Sequence, residues 1–119
     1  MKLAEKRVLF SKLIAEHLLW LNSFEGVHAC FDEVTERITA KDPSSDHMRR
    51  SLHHEGLAAD INLYDEKWLY LSKTEDHLFS GEVWERRHPL CRWGGRFGGS
   101  SSGLGKDGNH YSLEHEGRR

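Results

Sequence analysis

Apolar positions fall into a helical stripe at the start of the chain and into alternating patterns further on. Leu3, Val8, Leu9, Leu13, Ile14, Leu18 and Leu21 lie close to one stripe of a 3.6-residue period, with Lys6, Arg7, Lys12 and Glu16 outside it. This predicts a helix over residues 3–21, with Gly26 placed to stop it. Val27 to Val34 reads as a short strand interrupted by polar residues, and Thr35 to Arg50 loses period around the loop signature Asp42-Pro43-Ser44-Ser45-Asp46. Leu57 to Tyr64 returns to strand character. There Ile61 and Leu63 alternate with Asp60 and Asn62, so Asp60 points away from Ala59 and Ile61, toward a cleft rather than the core. Lys67 to Leu71 suggests a further short strand. Thr74, followed by Glu75 and Asp76, is placed to cap a helix running to about Arg87, and Pro89 ends it. Gly94 to Gly108 is rich in Gly and Ser and flexible at least in part, and Tyr111 and Leu113 belong to a last strand. The expected fold class is α+β, a small antiparallel sheet with helices packed on it, in a single domain over residues 1–119.

Composition narrows the function by exclusion. Apolar residues make up 37%, charged residues 30%, and the net charge is −2. A mean hydropathy of −0.70 with no concentrated basic face gives no footprint for nucleic acid. Arg49-Arg50 and Arg118-Arg119 are the clustered cations. No apolar run approaches the ~20 residues that span a bilayer. The first residues are charged and amphipathic without the apolar segment of a signal peptide. Cys30 and Cys91 lie far apart and outside any Cys-x-x-Cys spacing, which reads as two half-buried thiols in a reducing compartment rather than a disulfide or a thiolate metal site.

The chemistry is concentrated in two segments, Ser51-Leu52-His53-His54-Glu55-Gly56-Leu57-Ala58-Ala59-Asp60 and Asp107-Gly108-Asn109-His110. Together they offer two imidazoles and one carboxylate able to meet in space, and a further carboxylate three residues before the last imidazole. Three N/O ligands, an open position for water and a nearby base are the requirements of a catalytic zinc. The pattern Ser-x-His-x-x-Gly-x-Ala-x-Asp with a distal Asp-x-x-His resembles the zinc peptidases of the D-alanyl-D-alanine carboxypeptidase family. That group includes the vancomycin-resistance dipeptidases and the phage L-alanyl-D-glutamate endolysins. Every typed position of both motifs is matched, and in outline the resemblance covers Val27 to Glu114.

The resemblance implies a hedgehog/DD-peptidase-like fold with a zinc site in a cleft and one Zn2+ per chain. His53, Asp60 and His110 would be the ligands, and Asp107 the general base and acid. It further implies an upstream arginine for the substrate carboxylate or carbonyl. Arg37 is the nearest candidate, with Arg49 or Arg50 as substitutes. Ser51 matches the family serine and would fix a neighbouring ligand or a substrate carbonyl. Glu55 and Glu114 are rival bases, the latter sharing His110's side of a strand. His54 would face away if extended, and His17, His28, His77 and His88 read as background; His47 and His115, closer in sequence to the site, are the weaker alternatives for a fourth ligand. Trp84, Trp93 and Phe97 read as core, although Trp93 to Phe97 precedes the last strand and could form a cleft wall.

By this resemblance the chain hydrolyses a peptide bond in bacterial peptidoglycan stem peptides, as a monomeric phage or prophage endolysin of the L-alanyl-D-glutamate type. Such an enzyme would be made in the host cytoplasm and reach the wall through a separate pore. D-Alanyl-D-alanine carboxypeptidase activity stays open, as does a non-catalytic zinc or cell-wall-binding module, or a phage structural component with the same fold.

Overall fold

The computed structural model describes residues 1–32, 51–98 and 103–119. The order of elements is α1 (Leu3–Leu21), β1 (His28–Phe31), β2 (Ala58–Tyr64), a 3-10 turn (Thr74–His77), α2 (Leu78–Arg87), β3 (Cys91–Trp93), a second 3-10 turn (Gly94–Arg96) and β4 (His110–Leu113). The strands form a four-stranded sheet in the order β1-β2-β4-β3, antiparallel at every pairing. The architecture is therefore α+β. The loop expected over 35–50, including Arg37, His47, Arg49 and Arg50, lies outside the described residues.

α1 forms where the period placed it, but its buried stripe is rotated. Phe10, Leu13, Ile14, His17 and Leu21 face inward, while Val8 is 55% exposed. The spacing 10, 13, 14, 17, 21 keeps one face of a helix, and it admits a histidine that hydropathy alone assigns to the outside. Asn22, not Gly26, finishes the helix. Its side-chain amide donates to the Leu18 carbonyl (3.2 Å) and to the Ala29 carbonyl (3.0 Å) and accepts from the Ala29 amide (2.9 Å). One side chain thus closes the helix and aligns the edge strand. Gly26, at φ +81°, serves the turn between them.

The inner sheet face carries Ala59, Ile61 and Leu63 of β2, Tyr111 and Leu113 of β4, and Cys91 and Trp93 of β3, all buried against the helices. Trp84 of α2 is wholly enclosed, with Phe10 edge-on to its ring at 5.9 Å. Trp84 and Trp93 are the largest fully buried side chains of this core. β3 has no counterpart in the sequence expectation, being too short to show alternation. Cys30 is exposed and Cys91 buried, so the two thiols are not alike, and burial pushes the Cys91 thiol up to about 12.

Two local expectations are corrected. Residues 67–71 form no strand. The Asp65 carboxylate accepts from the amides of Lys67 (2.8 Å) and Leu69 (3.0 Å), tying a turn, and pairing is limited to a single Tyr64–Tyr70 bridge. Thr74 does not cap a helix from outside but opens the 3-10 turn, where the Asp76 carboxylate accepts from the Lys73 amide (3.3 Å). Pro89 acts as expected: His88 before it is extended and the helix stops at Arg87.

A buried polar chain crosses the helix layer. The Arg87 Nε donates to His17 Nδ1 (2.8 Å), His17 Nε2 meets Ser80 Oγ (2.9 Å), and Ser80 Oγ meets the Tyr111 hydroxyl (2.8 Å). Because Nδ1 accepts, the ring proton sits on Nε2 and His17 is neutral. Burial, and secondly the Arg87 guanidinium, lower its pKa from 6.5 to about 3. The unfolded chain takes up this proton near 6.5, whereas the folded one resists until about 3. The stability contributed by neutral His17 is therefore complete above the unfolded value and is lost as pH falls between them. Burial lowers the pKa of His77 as well, which acts in the same direction. From ~1.36 kcal/mol per unit, His17 should cost on the order of 2 kcal/mol at about pH 5. Denaturant unfolding in chelator at about pH 7.5 and about pH 5 measures this. The His17→Gln variant should show a flatter pH dependence, and an equal slope in both proteins would remove His17 as the cause.

Candidate metal centre

His53 stands on a tight turn just before β2. Successive amides of His54, Glu55 and Gly56 bond back to the carbonyls of Ser51, Leu52 and His53, and Leu52 anchors the turn in the core. Gly56, at φ +72°, lets the chain leave the turn and enter the strand. Ser51 Oγ accepts from the His53 amide (3.1 Å), so this serine fixes the backbone that carries the imidazole. Asp60 lies mid-strand in β2 with His110 directly opposite in β4. The register brings together residues fifty positions apart; the Ile61 amide to the Asn109 carbonyl (2.8 Å) extends it, and the His110 amide to the Asp107 carbonyl (3.1 Å) shapes the turn that leads into β4.

The side chains converge. Asp60 Oδ1 lies 3.6 Å from His53 Nε2 and 3.5 Å from His110 Nδ1, and one donor atom from each of the three residues lies within 4.8 Å of the others. The rings of His53 and His110 meet edge-on at 5.3 Å. At 3.5–3.6 Å the contacts to Asp60 are too long for hydrogen bonds. Four-coordinate bonds of 2.0–2.1 Å place neighbouring donors roughly 3.3 Å apart, so these separations suit a shared cation instead. Asp60 Oδ1 and His110 Nε2 are buried, with no hydrogen-bond partner among the described residues. A buried carboxylate oxygen without a donor is costly, and a cation at this point would satisfy it. His53, Asp60 and His110 could therefore hold a metal ion. Two imidazoles with one carboxylate suit zinc-like transition metals better than calcium or magnesium, which prefer all-oxygen shells.

Asp107 is placed beside this group rather than within it. Its Oδ2 is 3.9 Å from the same His110 Nδ1, and its side chain is 54% exposed. The rival carboxylates are turned elsewhere. Glu55 faces Arg7 (3.9 Å) and Arg118 (3.6 Å), and Glu114 Oε1 accepts from the Gly117 amide (2.6 Å) beyond the end of β4. Glu114 therefore does not share the site with His110. His115 meets Lys6 Nζ at 3.1 Å through Nδ1. His54 does not swing into solvent: its Nε2 is buried, and with His53 it borders an apolar groove that Phe10, Ile14, Leu18 and Phe31 also line. Neither Asp60 nor His110 borders that groove, so it lies beside the three donors. Arg37, the expected substrate arginine, lies outside the described residues.

Trp93 and Gly94 support the site in a way the residue pattern did not reveal. Trp93 is core, and its Nε1 donates to the Gly108 carbonyl (2.6 Å), holding the turn that presents Asp107 and His110. A Cβ on Gly94 would overlap the Asp107 carbonyl oxygen and come within 2.7 Å of His110 Cβ. Phe97 lies edge-on to the His110 ring at 5.5 Å and forms a wall of the site, not core. The run Trp93-Gly94-Gly95 is the signal that could have pointed here, since adjacent glycines beside an aromatic mark close backbone approach. Gly94→Ala should destabilise the fold by about 1–3 kcal/mol and weaken metal binding by at least roughly tenfold by shifting two site residues. Metal titration together with denaturant unfolding checks this, and unaltered metal affinity would show that the turn has slack.

No protein-family model matches this chain, and comparison with curated proteins finds no match. No helix among the described residues is long and apolar enough to cross a membrane.

Proposed function

We propose that this chain is a zinc-dependent peptidase of bacterial peptidoglycan stem peptides, related to the D-alanyl-D-alanine carboxypeptidase and L-alanyl-D-glutamate endolysin group and acting as an endolysin-type endopeptidase. One observation carries the reading. The motif residues His53, Asp60 and His110 turn their donor atoms toward one point, and the Asp107 carboxylate stands at its edge without joining it. A metal-binding module has no need of that fourth, partly exposed carboxylate, whereas a hydrolase does.

Zinc held by two imidazoles and one carboxylate supplies Lewis acidity and lowers the pKa of water to roughly 7. The rest of the chemistry belongs to side chains. Asp60, buried between the imidazoles, balances the charge of a cation and keeps both rings turned inward. Asp107 is positioned to accept the proton that the attacking water gives up and to return it to the departing amine. Its exposure lets it reach both without leaving solvent. Phe97 keeps one side of His110 dry, which strengthens the local electrostatics.

The test joins metal analysis to product analysis on purified peptidoglycan. Close to one zinc per chain with new amino termini is the expected result. Released D-alanine would make it a carboxypeptidase, and zinc without either product would make it a binding module.

A further inference from the structure

The geometry points to a saccharide-binding platform, formed by Trp68 and Tyr70, that continues from the metal centre and takes the sugar to which a stem peptide is attached. The inference rests on the peptidoglycan reading above and extends it from a peptide to a glycopeptide substrate.

Alternation along β2 puts Asp60, Asn62 and Tyr64 on one face of the sheet, opposite the core. At ~3.3 Å per residue, Asn62 lies roughly 7 Å and Tyr64 roughly 13 Å from the Asp60 carboxylate position. The register with β1 sets His28 beside Tyr64 on this face. Tyr70 bridges to Tyr64, and its hydroxyl donates to Asn62 Oδ1 at 3.4 Å. Burial, followed by the Asp32, Tyr64 and Asp60 groups, raises the Tyr70 hydroxyl pKa. Among the described residues the face thus runs from the three donors to an aromatic end.

Trp68 is the outermost ring and the least expected. It is 66% exposed and sits at φ +66°, a left-handed conformation that a bulky side chain adopts only under constraint. The constraint is the Asp65 turn, in which the Asp65 amide also bonds the Leu69 carbonyl (3.0 Å) and the Trp68 amide bonds the Asp65 carbonyl (2.9 Å). The indole stacks on His28 at 3.7 Å with planes 8° apart, and Tyr64 lies 6.3 Å away. A large apolar ring is therefore held rigidly outward at a backbone cost, beside Tyr70 at 51% exposure and Leu69 at 62%. Exposed apolar patches of this kind mark recognition surfaces.

The surroundings select the ligand. A pyranose offers an apolar C–H face to an aromatic ring and hydroxyl and acetamido groups at its edge, which the Asn62 amide and Tyr70 hydroxyl can bind. The carboxylates of Asp32 and Asp65 beside this face disfavour a polyanion such as nucleic acid. A neutral sugar suffers no such repulsion. In peptidoglycan the stem peptide hangs from the lactyl group of an amino sugar, so a bond cleaved near the peptide's amino end leaves that sugar within the reach of this face.

The experiment has two arms. In the first, chitotetraose is titrated into the zinc-loaded protein and followed by tryptophan fluorescence and calorimetry. It should bind, and Trp68→Ala and Tyr70→Ala should each weaken it about tenfold, while Trp68→Phe retains part of the affinity. In the second, KM is compared for a disaccharide-peptide and for the same peptide without sugar. The ratio should favour the disaccharide-peptide in the unmodified protein and shift about tenfold against it in Trp68→Ala. Absence of chitotetraose binding, or a KM ratio that Trp68→Ala does not change, overturns the platform. So does a dimer that Trp68→Ala converts to monomer in sedimentation, since the patch would then be a self-interface. If chitotetraose binds but neither substrate is cleaved, the peptidase reading fails and the saccharide site stands. Cleavage of both substrates with equal KM and no saccharide binding gives the reverse.

Discussion

Replacing His110 with alanine is expected to remove zinc and hydrolysis together. His110 is one of the three residues that could hold the metal, and its Nδ1 lies 3.5 Å from Asp60 and 3.9 Å from Asp107. Losing a partner that merely supports a ligand typically costs roughly 10–100-fold in metal affinity, so losing the ligand itself should cost more. The variant should still fold, because β4 pairs with β2 and β3 through backbone bonds and its core contacts come from Tyr111 and Leu113. Metal analysis, circular dichroism and turnover on peptidoglycan together decide it. His53→Ala should behave alike, and a chelator should reproduce both. Unchanged stoichiometric zinc with unchanged affinity in His110→Ala would remove His110 from the ligand set.

Asp107→Asn should separate the base from the ligands. Asparagine matches aspartate in size but cannot take up the proton, and general acid–base catalysis contributes on the order of 10²–10⁴ in rate. Zinc should stay bound while turnover falls by that factor. The half-exposed position makes a folding defect an unsuitable explanation for such a loss. Release of zinc would recast Asp107 as a ligand. Unchanged turnover would end its role as base, and the engagement of Glu55 by Arg7 and Arg118 and of Glu114 by the Gly117 amide leaves neither as a ready substitute.

Both predictions concern residues that stood out in the sequence, while their support did not. Ser51 was expected to fix a ligand or a substrate carbonyl, and it binds the His53 backbone, a distinction residue type alone does not make. Phe97 read first as core, with a cleft wall as the alternative, and it borders His110, whereas His17 read as background and lies at the centre of a buried polar chain. In each case the side chain's role depends on what faces it from another element, which hydropathy does not encode.

Amino-acid order by itself determined α1, β2 and the three residues that could hold a metal ion. Helical and strand periods and a motif of ten residues are short-range properties, written by neighbours in the chain. Tertiary structure decided the rest. The β2–β4 register sets His110 opposite Asp60, Trp93 and Gly94 hold the turn carrying Asp107, and β1 with the Asp65 turn builds the aromatic face. These depend on close packing between distant segments. Pairing one residue out of register would send every side chain of a strand to the opposite face, so only the assembled sheet could show which residues share a side with His53, Asp60 and His110.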